Sequence, residues 1–231
     1  SQVLAHTQQQ VFDGTGSVVF TNGGIVSPGW WGFSSGGTAA ANADAYNACT
    51  ASLTATGGAI IIPPTGAAHQ VDDTLTHPAK PMSVIGAHPE LSIIESTATA
   101  SLQHGLTFTR SHHLRNLTIK TSASLASDYT MYGVRMNLDG VTVSGGNLSV
   151  KWESLKVRGF NNSLYVDGGD AYNIDRLYFN DLDLQCSGPA STYIGSCLYI
   201  NRVNQVYGTH SQLDQNGTGE HAIYNFGTKD I

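Results

Sequence analysis

Four acidic side chains raise the question of chemistry: Asp181, Asp183, Glu153 and Asp214. Asp181 and Asp183 flank Leu182, so on a regular strand both carboxylates face the same way, about 7 Å apart. Such a pair suits glycoside hydrolysis, where one carboxyl protonates the leaving oxygen and the other activates water or attacks carbon. That separation fits an inverting route, which leaves room for the water. Solvated aspartates at a strand edge would show the same spacing. Lys151, Lys156 and Arg158 stand beside Glu153 and keep elimination open, a reaction that needs a base near a neutralised uronate. Asp214 and Glu220 are expected in loops.

A second set could hold a substrate. Lys156 and Arg158 offer cations, while Tyr178, Tyr207 and Trp152 are expected to face outward with Tyr165, Tyr172 and Tyr199. Exposed aromatic rings serve equally as platforms for sugar rings or as a subunit contact. No metal site is expected. Adjacent His112 and His113 point apart on a strand or turn, and no acidic column is dense enough to argue for calcium. His210 and His221, near Asp214 and Glu220, make only a weak case for a metal or acid–base role. No phosphate-binding or dinucleotide fingerprint occurs, so no cofactor is expected.

These residues need a scaffold, and the chain supplies a repeat. Gly105-Leu106-Thr107-Phe108, Gly133-Val134-Arg135-Met136, Ser163-Leu164-Tyr165-Val166, Cys197-Leu198-Tyr199-Ile200 and Ala222-Ile223-Tyr224-Asn225 share one pattern. Their spacings of roughly 28, 30, 34 and 25 residues suit one supersecondary unit per coil. A second strand follows most of them, at Leu114 to Ile119, Leu155 to Val157, Ile174 to Phe179 and Val203 to Val206. A third is clearest at Leu182-x-Leu184. Aligned on these motifs, Leu117, Leu155, Leu177 and Val206 stack, as do Ile119, Val157 and Phe179. The same alignment puts Glu153, Asp175 and Asn204 in one outward column and Lys156, Tyr178 and Tyr207 in another, with Arg158 level with Asn180. One coil cannot bury its own apolar face, whereas stacked coils share an interior and pair their backbones in parallel.

The stretch Ser27 to Pro64 stands at the front of this array. Asn42 is expected to cap an alanine-rich helix whose stripe is Ala45, Cys49 and Leu53. Gly57-Gly58 is expected to end it. Ala59 to Ile62 reads as a strand buried on both sides, stopped by Pro63-Pro64. In order, Trp31-Gly32-Phe33, Gly36-Gly37, Asn42 to Leu53, Gly57-Gly58 and Ile60 to Gly66 resemble the opening module of the pectate-lyase-like right-handed parallel β-helix proteins, phage tailspikes among them. The resemblance covers about forty residues. It implies an all-β right-handed parallel β-helix with a short N-terminal capping α-helix. It further implies a tailspike-like depolymerase that binds and cleaves bacterial polysaccharide, a homotrimer, and a place on a virion tail or otherwise outside the cell. A non-catalytic glycan-binding or structural spike fragment is the alternative.

Composition narrows the rest. The 231 residues include 26 glycines and only 12% charged side chains, which favours many short strands and tight turns over a helical bundle. A net charge of −6 disfavours nucleic acid and anionic membrane as partners. No apolar run approaches the roughly 20 residues that span a bilayer. Of the three cysteines, Cys49 reads as a buried thiol, while Cys186 and Cys197 flank a loop that leaves their pairing open. Residues 1–27 read as a β lead-in and 28–231 as the β-helix. Nothing capping follows the last strand signal, so the chain is expected to continue or to be covered there.

Overall fold

Inward side chains fall into straight columns. Val26, Ile60, Val84, Leu114, Trp152 and Phe179 occupy one register position on successive strands. Leu75, Leu106, Val134, Leu164, Leu198 and Ile223 do the same on the opposite wall. The computed structural model is thus a parallel β-solenoid of about four turns with one helix near its start. It describes residues 5–13, 17–20, 23–77, 79–98, 104–122, 131–139, 141, 148–169, 174–186, 195–215 and 222–226.

In chain order the elements are β1 (Gly24–Val26), a 3-10 turn (Pro28–Trp31), α1 (Ala39–Ser52), β2 (Gly58–Ile61), β3 (Ala68–Val71), β4 (Leu75–Thr76), β5 (Met82–Ile85) and β6 (Ile93–Ser96). There follow β7 (Leu106–Phe108), β8 (His112–Thr121), β9 (Tyr132–Asn137), β10 (Leu148–Phe160), β11 (Asn162–Asp167) and β12 (Ile174–Cys186). The last are β13 (Leu198–Asn201), β14 (Val203–Thr209), β15 (Gln212–Gln215) and β16 (Ile223–Phe226). A ten-stranded sheet runs β1-β2-β5-β8-β10-β12-β14, with β3 and β6 joined through β8 and β15 through β12. The shorter sheet runs β4-β7-β9-β11-β13-β16. Its last five strands are the five repeated segments seen in the sequence.

The long strands β8, β10 and β12 each bend at a non-glycine residue with positive φ: Asn116 at 58°, Ser154 at 48° and Asp181 at 55°. His210 makes the same bend, at 46°, between β14 and β15. Each bend resets the inside–outside alternation. Trp152 and Leu155 both point inward across Ser154, and Leu182 resumes the interior after Asp181. The longer sheet therefore has two facets meeting at this corner.

Several local expectations need correction. Thr38, not Asn42, caps α1, its hydroxyl accepting from the Ala41 amide. Asn42 is buried and instead ties three segments together, accepting from Ser34 N and donating to Ser34 O and Gln70 O, each at 2.9 Å. The helix ends at Ser52, and Lys80 Nζ donates to the buried carbonyls of Thr50 and Leu53 at its C-terminus, where the helix dipole favours a cation. Gly57 (φ 81°) serves a close approach rather than a cap, since a Cβ there would overlap Pro81 O. The run Ala59 to Ile62, which continues β2 by one residue, buries one side fully, through Ile60 and Ile62, and the other only in part. As expected, Ala45, Cys49 and Leu53 form the buried stripe.

The predicted register also slips. Leu155 pairs with Leu117 on one side but with Leu182, not Leu177, on the other. Leu177 instead lies between Val150 and Val206. Phe179 stacks beside Trp152 rather than Val157, and its ring takes the space a Gly208 side chain would need. Cys186 and Cys197 are joined in a disulfide that ties the end of β12 to the start of β13.

Candidate functional site

Two outward columns on the first facet of the longer sheet bring the polar groups together. One runs Ser83, His113, Lys151, Tyr178 and Tyr207. The other, two residues further along each strand, runs Ile85, Arg115, Glu153, Asn180 and Thr209. At about 4.8 Å per strand the five rungs span about 19 Å along the solenoid axis.

Glu153 is the centre of this facet. Its Oε2 lies 2.6 Å from His113 Nε2 and its Oε1 2.9 Å from Lys151 Nζ. Partial burial opposes ionisation, but the hydrogen bonds and charges of Lys151 and His113 prevail and hold the carboxyl below the usual carboxylate range. Next to it, Thr209 Oγ1 donates to Asn180 Oδ1 at 2.7 Å. A hollow of about 250 Å³ lies among Lys151, Glu153, Tyr178, Asn180, Tyr207 and Thr209. A wider one of about 590 Å³ lies between Ser83, His113 and Lys151 and the rungs before them. Lys151 borders both, so the two hollows adjoin on this facet, which is called the groove below.

The structure separates the residues expected from the sequence. Glu153, Tyr178 and Tyr207 belong to the groove. Lys156, Arg158, Asp183 and Asp214 do not: they lie past the bend, on the second facet. There Lys156 pairs with Glu90, and Arg158 NH2 with Asp183 at 2.5 Å. Asp214 is in strand β15, not a loop, and accepts from Gln212 Nε2 at 2.8 Å. Asp181 sits at the corner itself and accepts from Ser154 Oγ at 2.8 Å. Asp181 and Asp183 both lie on the outer surface with buried Leu182 between them, but they are engaged separately, Asp181 by Ser154 and Asp183 by Arg158.

Trp152 is the clearest correction. It is fully buried, with Nε1 donating to His112 Nε2 at 3.0 Å, and cannot touch an external ligand. The outward columns also change: Glu153 aligns with Asn180 and Thr209 rather than with Asp175 and Asn204. Lys156 aligns with Asp183, and Arg158 with Gln185. Tyr165 and Tyr199 are on the shorter sheet, stacked face to face at 4.5 Å and thus covering each other. Tyr178 stacks on Tyr207 at 5.0 Å in the same way, leaving Tyr207, 48% exposed, as the open ring of the groove. Tyr172, Glu220 and His221 lie outside the described residues.

His113 was not singled out as a partner of Glu153, because the two are 40 residues apart in sequence. Only the parallel register, β8 beside β10, could have found it. His112 and His113 do point apart, one inward and one to the groove. Among the described residues no group of three or more His, Cys, Asp or Glu is placed to hold a metal ion. No helix there is long and apolar enough to cross a membrane.

Chemically, the groove offers one carboxylate kept ionised, the nitrogen donors of Lys151 and His113 beside it, the Arg115 guanidinium on the neighbouring rung, an amide, hydroxyls and one open aromatic ring. That set can hydrogen-bond and stack on a hydroxyl-rich chain. It does not contain the second carboxyl of a hydrolytic pair among its described residues. Compared with protein-family models, curated proteins and solved structures, the chain finds no match, and its placement rests on the parallel β-solenoid itself.

Proposed function

We infer that this protein binds an extended bacterial surface polysaccharide along the first facet of its longer sheet, as a tailspike-like, extracellular protein. The observation that carries the reading is the pair of adjoining hollows along the rungs from Ser83 to Tyr207, with ionised Glu153 on the middle rung. A linear chain of sugar units needs a long, shallow, hydrogen-bonding track, and this is the facet of that shape. The likeness of Trp31 to Gly66 to the pectate-lyase-like opening module points the same way.

Cleavage is the second reading, favoured by the Glu153–His113 contact. An ionised carboxylate next to an imidazole can take a proton or orient water, so Glu153 rather than the Asp181 and Asp183 pair is the residue for hydrolysis or elimination.

The test is a panel of capsular polysaccharides titrated against the wild type, Glu153→Gln and Tyr207→Ala. Binding that weakens by about tenfold in each variant supports the groove. Equal binding by all three, or none by the wild type across the panel, overturns it. Reducing ends released by the wild type and not by Glu153→Gln would establish cleavage. Absorbance from an unsaturated uronate would mark elimination.

A further inference from the structure

On the opposite wall, the outward face of the shorter sheet holds a hollow of about 400 Å³ lined by Thr74, Thr76, His104, Thr107, Thr109 and Arg135. Two of its nitrogen donors face each other with no acceptor between them. The Tyr132 amide points at His104 Nδ1, 3.4 Å away, and an amide N–H can only donate. Nδ1 is therefore the acceptor, and the proton of the neutral ring sits on Nε2. That Nε2–H faces Arg135 NH1 at 3.5 Å, and a guanidinium has no acceptor to offer. Arg135 Nε is buried with no partner at all.

Charge is unbalanced in the same place. Among the described residues no carboxylate lies within ion-pair distance of Arg135. Asp167, an acid on this face, is occupied by Tyr165, Asn201, Arg202 and the Gly169 amide. The guanidinium lies over the Tyr132 ring, 5.7 Å from its centroid. Burial, aided by the Arg135 charge, lowers the His104 pKa to about 4, so the ring stays neutral at ordinary pH.

We propose that this hollow is an oxyanion site, taking a carboxylate or a tetrahedral anion such as sulfate or phosphate between His104 and Arg135. One oxygen would accept from His104 Nε2–H and Arg135 NH1 together, relieving two donors that now face each other. A second would accept from Arg135 NH2, as the end-on fork of the guanidinium allows. The threonine hydroxyls border the rest. This site is on a different sheet from the Glu153 groove and stands without it.

The experiment is a titration of isotope-labelled protein near neutral pH, following the Arg135 Nε–H resonance. The probes are sodium glucuronate, sodium sulfate and sodium phosphate, with glucose and sodium chloride as controls. A saturable shift with at least one oxyanion and with neither control is expected. Affinity should fall by about tenfold or more in Arg135→Gln, and less in Arg135→Lys. His104→Phe, which keeps a ring but removes the Nε2 donor, should also weaken it, so the result does not hang on one variant folding. Saturation by glucuronate assigns a carboxylate-bearing ligand; saturation by sulfate or phosphate alone assigns a tetrahedral one. No saturable shift in the wild type with any of the three probes, or affinity unchanged in Arg135→Gln, overturns the proposal.

Discussion

Trp152 and His112 meet inside the solenoid, the indole Nε1–H donating to the imidazole Nε2 at 3.0 Å. An indole can only donate, so His112 carries its proton on Nδ1, which donates to Arg110 O at 3.3 Å. The ring also stacks on Phe108 at 4.0 Å, and Phe108 stacks on His77 at the same distance. His77 Nε2 in turn meets the Tyr46 hydroxyl at 2.8 Å. A buried aromatic and imidazole line thus runs from the capping helix into β10, the second of the three long strands.

Trp152→Phe keeps an aromatic ring but strands His112 Nε2 without a donor, and should cost about 2–3 kcal/mol in denaturant unfolding. The double variant Trp152→Phe with His112→Phe removes both partners and should recover part of that loss. Strictly additive costs in the double-mutant cycle would show that the bond contributes nothing.

Acid should destabilise the fold through the same line. Burial, against the bond to Thr107 O, lowers the His77 pKa to about 4. Burial, helped by His77 and His113 and opposed by the Arg110 carbonyl, lowers His112 to about 3. The unfolded chain titrates near about 6.5, so between these values it binds more protons than the native state. Stability is therefore full above that pH and declines as the pH falls below it, by on the order of 3 kcal/mol per ring. A urea midpoint that stays level from neutral pH down to about 4.5 would contradict this assignment.

Ser154 holds φ at 48° in a corner that its neighbours build from Asn116, Asp181 and His210. Asn, Asp and His tolerate this left-handed region, whereas β-branched side chains clash there. Ser154→Val should therefore lose about 1–2 kcal/mol, while Ser154→Gly should stay within about 0.5 kcal/mol of the wild type. Equal stability of the two variants in chemical denaturation would argue against a strained corner.

The Cys186–Cys197 bridge closes a short loop between the two sheets. Cys186→Ser with Cys197→Ser should lower unfolding free energy by about 2–3 kcal/mol, and reduction of the wild type should do the same. Mass spectrometry showing two free thiols in the native protein would overturn this pairing.

What the sequence determined on its own is the solenoid and its repeat. The five segments from Gly105 to Asn225 carry one inward pattern, and a buried apolar pattern of period two cannot be satisfied by a single coil. The register was not legible, and the reason is local. Val150-x-Trp152 and Leu155-x-Val157 in β10 look alike, as do Leu177-x-Phe179 and Leu182-x-Leu184 in β12. A slip of five residues therefore maps one motif onto the next, and the sequence pattern cannot choose. Coil length and the left-handed corners choose, because only one register lets every backbone group pair while each corner stacks on the last. That choice put Asp183 with Arg158 on one facet and Glu153 with His113 on the other. The apolar spacing specifies how the coil is built, but which polar side chains become neighbours is decided only when one coil rests on another.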